Sequence, residues 1–256
     1  MRHEHFIKQH MLNIRNGIEV DFSVPTETTY HKPSVAPNYS PVQPSLGNRK
    51  PSEKSPFNWR GNQPSLDGER VMYFESGVEL RAGRIFRADR QYVEVREQWP
   101  TLPWEDDLGE RHTTTFDYFL RTTTGLRILV AAKPEEKVVS ENLVDRMKRV
   151  RREGFSHVAD KICIVTETFA TAAANANAEW MLLAIRNRND DEYAATVEFA
   201  AGLTGPMRLW DMLVASPDIV MAHRRLAIWH LIYDGVLAPI VPGRIGDRSY
   251  LIKTAN

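Results

Sequence analysis

Residues 112–134 read HTTTFDYFLRTTTGLRILVAAKP. Thr113 to Arg121 and Leu126 to Ala132 are rich in β-branched and aromatic residues, and the Thr-Thr-Thr-Gly between them forms turns readily, so a β-hairpin is predicted. Pro134 stops its second strand. Asp117 falls in the first strand and Lys133 at the end of the second, and antiparallel pairing brings the two to a shared rim. Phosphodiester hydrolysis needs such a set: hard oxygen ligands for a divalent cation, and a positive group beside the attacking water or the scissile phosphate. Spacing alone equally admits a surface Asp and Lys unrelated to each other.

Working outward, Ser76 is placed to cap a helix over about 77–88, where Val78, Ala82, Ile85 and Phe86 recur on one face and Glu79 lies beside that stripe. Gln91 to Glu97 reads as a strand, ended by the turn-rich Trp99-Pro100-Thr101-Leu102-Pro103 and followed by a charged loop from Glu105 to Arg111. Beyond Pro134, Ser140 is a good N-cap for a helix to about Glu153, with Leu143, Met147 and Val150 inward and a basic outer face. Lys161 to Val165 is a short buried strand. The order is helix, three strands, helix, strand: an αβββαβ core of an α/β protein, the arrangement of PD-(D/E)xK nucleases, over residues 66–170.

Past Thr171 the pattern turns helical, with helices expected at 176–188, 191–202, 207–214 and 217–233, then apolar pieces at 236–241 and 250–252 around a Pro-Gly-Arg turn. Helix, tight turn, helix and a basic-tipped hairpin make a winged-helix pattern for 171–256, a domain suited to DNA or to a partner protein. Arg224 and Arg225 lie on its candidate recognition helix, where phosphate contacts are natural, although solvent-facing arginines on a helix are equally ordinary. Residues 1–65 form an N-terminal arm: 21–64 hold eight of the fifteen prolines and lack apolar periodicity, and the aromatics beside Arg60 point to docking at its end. Order is expected to begin near Val71.

The 33 basic and 33 acidic side chains cancel, so any nucleic-acid binding must come from local clusters. No apolar run approaches the roughly 18 residues of a membrane span, and no h-region opens the chain. Its single cysteine, Cys163, excludes disulfides and a Cys-based zinc site, and a reducing, cytoplasmic setting is expected.

Four segments in order, ESGVELRAG (75–83), VREQWPTLPW (95–104), HTTTFDYFL (112–120) and RILVAAKP (127–134), resemble the TnsA family, the endonuclease subunit of heteromeric, Tn7-like transposases. RGNQPSL upstream and ICIVTE (162–167) downstream also look like that family's flanks, so the resemblance covers about residues 58–170. It implies a PD-(D/E)xK endonuclease that cuts DNA at transposon ends. Glu79 and Asp117 would hold Mg²⁺, with Mn²⁺ able to substitute and the backbone carbonyl of Ala132 as a further ligand. Lys133 would orient or deprotonate water. Gln98 matches the family's EQ-x-P segment as a supporting residue, and His112 is placed to touch a phosphate. The resemblance also implies a DDE transposase partner (TnsB-like), an ATP-dependent regulator (TnsC-like) and a bacterial, nucleoid-associated location.

One position departs from the pattern. Where the family has Glu or Gln two residues before the lysine, this chain has Ala131. Strand alternation puts residues 131 and 133 on one face, so a carboxylate at 131 is expected to project toward the ion. Glu75 and Glu97 are nearby carboxylates able to substitute. Two other readings stay open: a degenerate nuclease fold that only binds DNA and docks a transposase, and a nuclease of repair or defence.

Overall fold

A computed structural model describes residues 15–17, 42–50, 60–65, 68–215 and 220–254. Most of the proline-rich arm, and the start expected for the last helix at 217, lie outside these residues. Residues 42–256 cluster as one unit of mixed α/β structure.

Order begins earlier than Val71. Strand β1 (Gly61–Pro64) pairs antiparallel with β2 (Val71–Phe74), and residue 43 bridges to Arg70. Helix α1 (Gly77–Arg87) follows, with Ser76 as its N-cap: the Ser76 hydroxyl accepts from the Glu79 amide at 3.1 Å. The Glu79 carboxylate reaches back in turn, accepting from the Ser76 hydroxyl at 3.2 Å and from the Glu75 amide at 2.8 Å, so the helix opens on a capping box shifted by one residue. Val78, Ala82 and Phe86 are buried as their spacing predicts.

The central sheet has four strands in the order β3 (Tyr92–Glu97), β6 (Tyr118–Thr122), β7 (Arg127–Ala132), β8 (Lys161–Val165). Its first three strands are antiparallel, and β8 joins β7 in parallel after a helical crossover. Between β3 and β6 runs a second hairpin, β4 (Thr101–Glu105) with β5 (Arg111–Thr115). Sequence reading had Thr113–Arg121 as one strand and 99–103 as a turn; the structure corrects both. The chain leaves one hairpin and enters another at Phe116-Asp117, where the Phe116 ring is fully buried and its N–H donates to the Pro100 carbonyl. The prolines that suggested a turn are tolerated because a two-stranded ribbon has outer edges that need no N–H donor.

The crossover is two helices and not one. Helix α2 (Glu135–Ser140) ends before Asn142, whose φ of 47° is left-handed, and α3 (Leu143–Glu153) starts there, so Asn142 replaces Ser140 at the cap position. Each sheet face has its own core. On one side Tyr118, Leu120, Val130 and Ala132 pack with Val78, Ala82 and Phe86 of α1. On the other Phe119, Leu129 and Ala131 pack with Leu143, Met147 and Val150 of α3.

The C-terminal elements are α4 (Ala172–Arg186), α5 (Asp190–Ala201), β9 (Met207–Arg208), α6 (Leu209–Val214), α7 (Met221–Tyr233), β10 (Leu237–Pro239) and β11 (Tyr250–Lys253). The strands form a sheet in the order β10, β11, β9 over a third core, with Ile228, Trp229 and Leu231 at its centre. No helix among the described residues is long and apolar enough to cross a membrane.

Candidate active site

Three elements deliver the site. The capping box fixes Glu79 in the first turn of α1, and its side chain is almost fully buried. Asp117 lies at the break before β6. Because β6 and β7 pair only as far as Tyr118 with Val130, the Ala132 N–H would have no strand partner on that edge. The Asp117 carboxylate takes it, Oδ2 accepting at 2.7 Å. Lys133 keeps its own N–H in the ladder with β8, donating to the Val165 carbonyl, and sends its side chain over the strand end. Its Nζ lies 3.4 Å from Glu79 Oε1 and 3.3 Å from Asp117 Oδ1.

Two buried carboxylates thus share one ammonium, an arrangement one positive charge short of neutral. Burial pushes the Glu79 carboxyl up to about 7, with the neighbouring Asp117 charge adding and Lys133 opposing. Burial likewise raises Asp117, against Lys133 and the Ala132 N–H. For Lys133 burial works against the charge, but Asp117 and Glu79 together outweigh it and raise its pKa. Such a pair of hard oxygen donors fits Mg²⁺, whose second charge supplies the missing compensation. Within a strand a residue's N–H and C=O point to the same edge, so the Ala132 carbonyl also faces the Asp117 side.

Tyr118 carries no signal in the sequence beyond its place in the predicted strand. Fully enclosed, it donates its hydroxyl to the Glu79 carbonyl at 2.9 Å and ties the sheet to the first turn of α1. Gly83 makes room for it: a Cβ there would fall 2.7 Å from Tyr118 Cζ. Gln98 is drawn into the cluster, its side-chain amide 3.5 Å from Glu79 Oε2. Glu97 is buried and accepts from the Ser45 hydroxyl at 2.6 Å, while Glu75 pairs with Arg49.

Other expected residues fall elsewhere. Ala131 packs among Phe119, Leu129, Leu143 and Met147, so its methyl faces an apolar cluster and not an ion. His112 lies on the β4–β5 hairpin, stacked on Trp104 and bonded to Asp106 at 2.9 Å. Asp106, Glu110 and His112 there offer ligand atoms within 4.8 Å of one another, yet Asp106 already accepts the Leu108 and Glu110 amides and closes the turn. Arg224 is only 2% exposed and ion-paired with Glu192, so it offers no phosphate contact. Arg225 pairs with Asp247. The C-terminal half of α7 is buried, while Met221, Ala222 and His223 at its start are exposed.

Comparison of the sequence with models of known protein families gave no match, and neither did comparison with curated proteins.

Proposed function

We propose that this chain is a metal-dependent DNA endonuclease of the PD-(D/E)xK type, acting at transposon ends as the strand-cutting subunit of a heteromeric, TnsA-like transposase. The observation that carries this reading is the convergence of Glu79, Asp117 and Lys133, with Lys133 lying 54 and 16 positions from its two partners, in one cluster at the end of β7. The succession α1, β3, β6, β7, α3, β8 supports the αβββαβ core, with the β4–β5 hairpin inserted. The succession α5, β9, α6, α7, β10, β11, with β9 in the same sheet, supports a winged-helix-like domain. The transposon end as substrate, and a DDE transposase and an ATP-dependent regulator as partners, rest on the resemblance of the four sequence segments.

When bound, Mg²⁺ polarises the phosphoryl oxygen and acidifies a water. Glu79 and Asp117 hold the cation through oxygens fixed by the capping box and by the Ala132 amide. Lys133 orients the attacking water and offsets the charge that develops on the phosphate. Nicking of transposon-end DNA with the transposase partner and Mg²⁺ or Mn²⁺ tests the reading. Asp117→Ala and Lys133→Ala should each abolish it, and nicking by Asp117→Ala at the wild-type rate would refute it. Ala131 favours a second reading, a non-cleaving DNA-binding and docking subunit, for which no metal binds at Asp117.

A further inference from the structure

We infer that Gln98, the residue just after β3, supplies a third side-chain oxygen to this cation site, a role closed to Ala131, which faces the apolar core beneath α3. The inference rests on the metal-dependent reading above and deepens it.

Gln98 is the residue just after β3, and its φ of 48° lies in the left-handed region, which a non-glycine residue enters at a cost. Its backbone is held there from both sides. The N–H donates to the Asp117 carbonyl at 2.9 Å, and the carbonyl accepts from the Asn48 amide at 2.8 Å. Gly47 presses on the side chain so closely that a Cβ at 47 would stand 2.9 Å from Gln98 Cβ. Strain imposed this firmly, in a residue that touches Asp117 through its backbone and Glu79 through its side chain, marks a positioned group.

What the side chain meets there is too little for a structural amide. Gln98 is 2% exposed and has the capacity for four hydrogen bonds, yet among the described residues its amide makes one, at the 3.5 Å limit, to Glu79 Oε2. That one long bond leaves the amide with capacity for a further partner. A half-turn of the amide exchanges its oxygen and nitrogen. The oxygen then stands beside Glu79 Oε2 at a separation close to the roughly 3 Å between adjacent ligands of a Mg²⁺ octahedron with bonds of about 2.1 Å. Glu79, Asp117 and Gln98 then present three hard oxygens from α1, the β5–β6 break and the end of β3. Ala131 has no donor, and its face of β7 is occupied by the α3 core.

The test is Mn²⁺ titration of the full-length protein without DNA, followed by the loss of the free-ion electron paramagnetic resonance signal, with thermal unfolding recorded alongside. Gln98→Asn tolerates a positive φ at least as well but is one methylene short. It should keep or raise the unfolding temperature while weakening Mn²⁺ binding about tenfold or more. Gln98→Glu should tighten binding, Asp117→Ala should abolish it, and Ala131→Glu should leave it no tighter. Wild-type affinity in Gln98→Asn, with binding still lost in Asp117→Ala, overturns the role of Gln98 and leaves the metal-dependent reading standing. Wild-type affinity in Asp117→Ala overturns both.

Discussion

Glu79→Gln isolates the electrostatic strain of the site, because the amide preserves the shape of the carboxylate and the Ser-x-x-Gln form of the capping box. A carboxyl held at about 7, against an ordinary 4.5, is harder to ionise in the folded chain than in the unfolded one. The sign follows: a raised acid favours folding while protonated, and that advantage is lost as pH rises from 4.5 through 7. At about 1.4 kcal/mol per tenfold, ionised Glu79 disfavours the metal-free fold by about 3 kcal/mol at pH 8 and by under ~1 kcal/mol at pH 5. Asp117, also raised, adds a slope of the same sign, whereas Lys133, raised from 10.5, stays charged throughout this window. In EDTA at pH 8, Glu79→Gln should therefore unfold about 6–12 °C above wild type, at about 2–4 °C per kcal/mol for a chain of this size. The gap should close at pH 5. Circular dichroism melts at the two pH values make the comparison. Equal melting at pH 8, or an offset that is the same at both pH values, would refute the claim that the buried carboxylates are under-compensated.

Three further substitutions probe the frame. Gly83→Ala pushes a methyl into the enclosed Tyr118 ring and breaks its bond to the Glu79 carbonyl, so urea unfolding should show a loss of about 2–4 kcal/mol. Arg224→Ala leaves Glu192 without its partner in a buried pair and should lose about 3–5 kcal/mol, with Arg225→Ala, on a half-buried pair, within about 1 kcal/mol of wild type. Wild-type stability in Arg224→Ala combined with weaker DNA binding would restore the outward-facing recognition helix.

Local patterns were legible where local forces decide. Ser76 and the stripe from Val78 to Phe86 announce α1, and the Thr-Thr-Thr-Gly turn sets the β6–β7 register. Glu79, Asp117 and Lys133 could be named because their segments resemble the TnsA family; spacing alone left Asp117 and Lys133 equally readable as unrelated surface residues. The break at Phe116-Asp117 was hidden, since strand-forming threonines run up to it and aromatics follow it, and only the third-party contacts of Pro100 and Ala132 divide the strand. The burial of Arg224 was hidden for a similar reason: Glu192, its partner, lies 32 positions away on another helix. Alternation put residues 131 and 133 on one face, but Ala131 packs beneath α3 whereas the Lys133 side chain passes over the strand end to Glu79 of α1.

Helix α1 has two ends with different occupations. At its start it holds Glu79; further along, Arg84 engages Glu179 and Asn175 of α4, and Arg81 reaches the Ala170 carbonyl. Eleven residues of α-helix make a rod about 16 Å long, and a rod of three turns turns as a whole when either end is moved. The rod therefore ties the carboxylate in its first turn to α4 through a single rigid element.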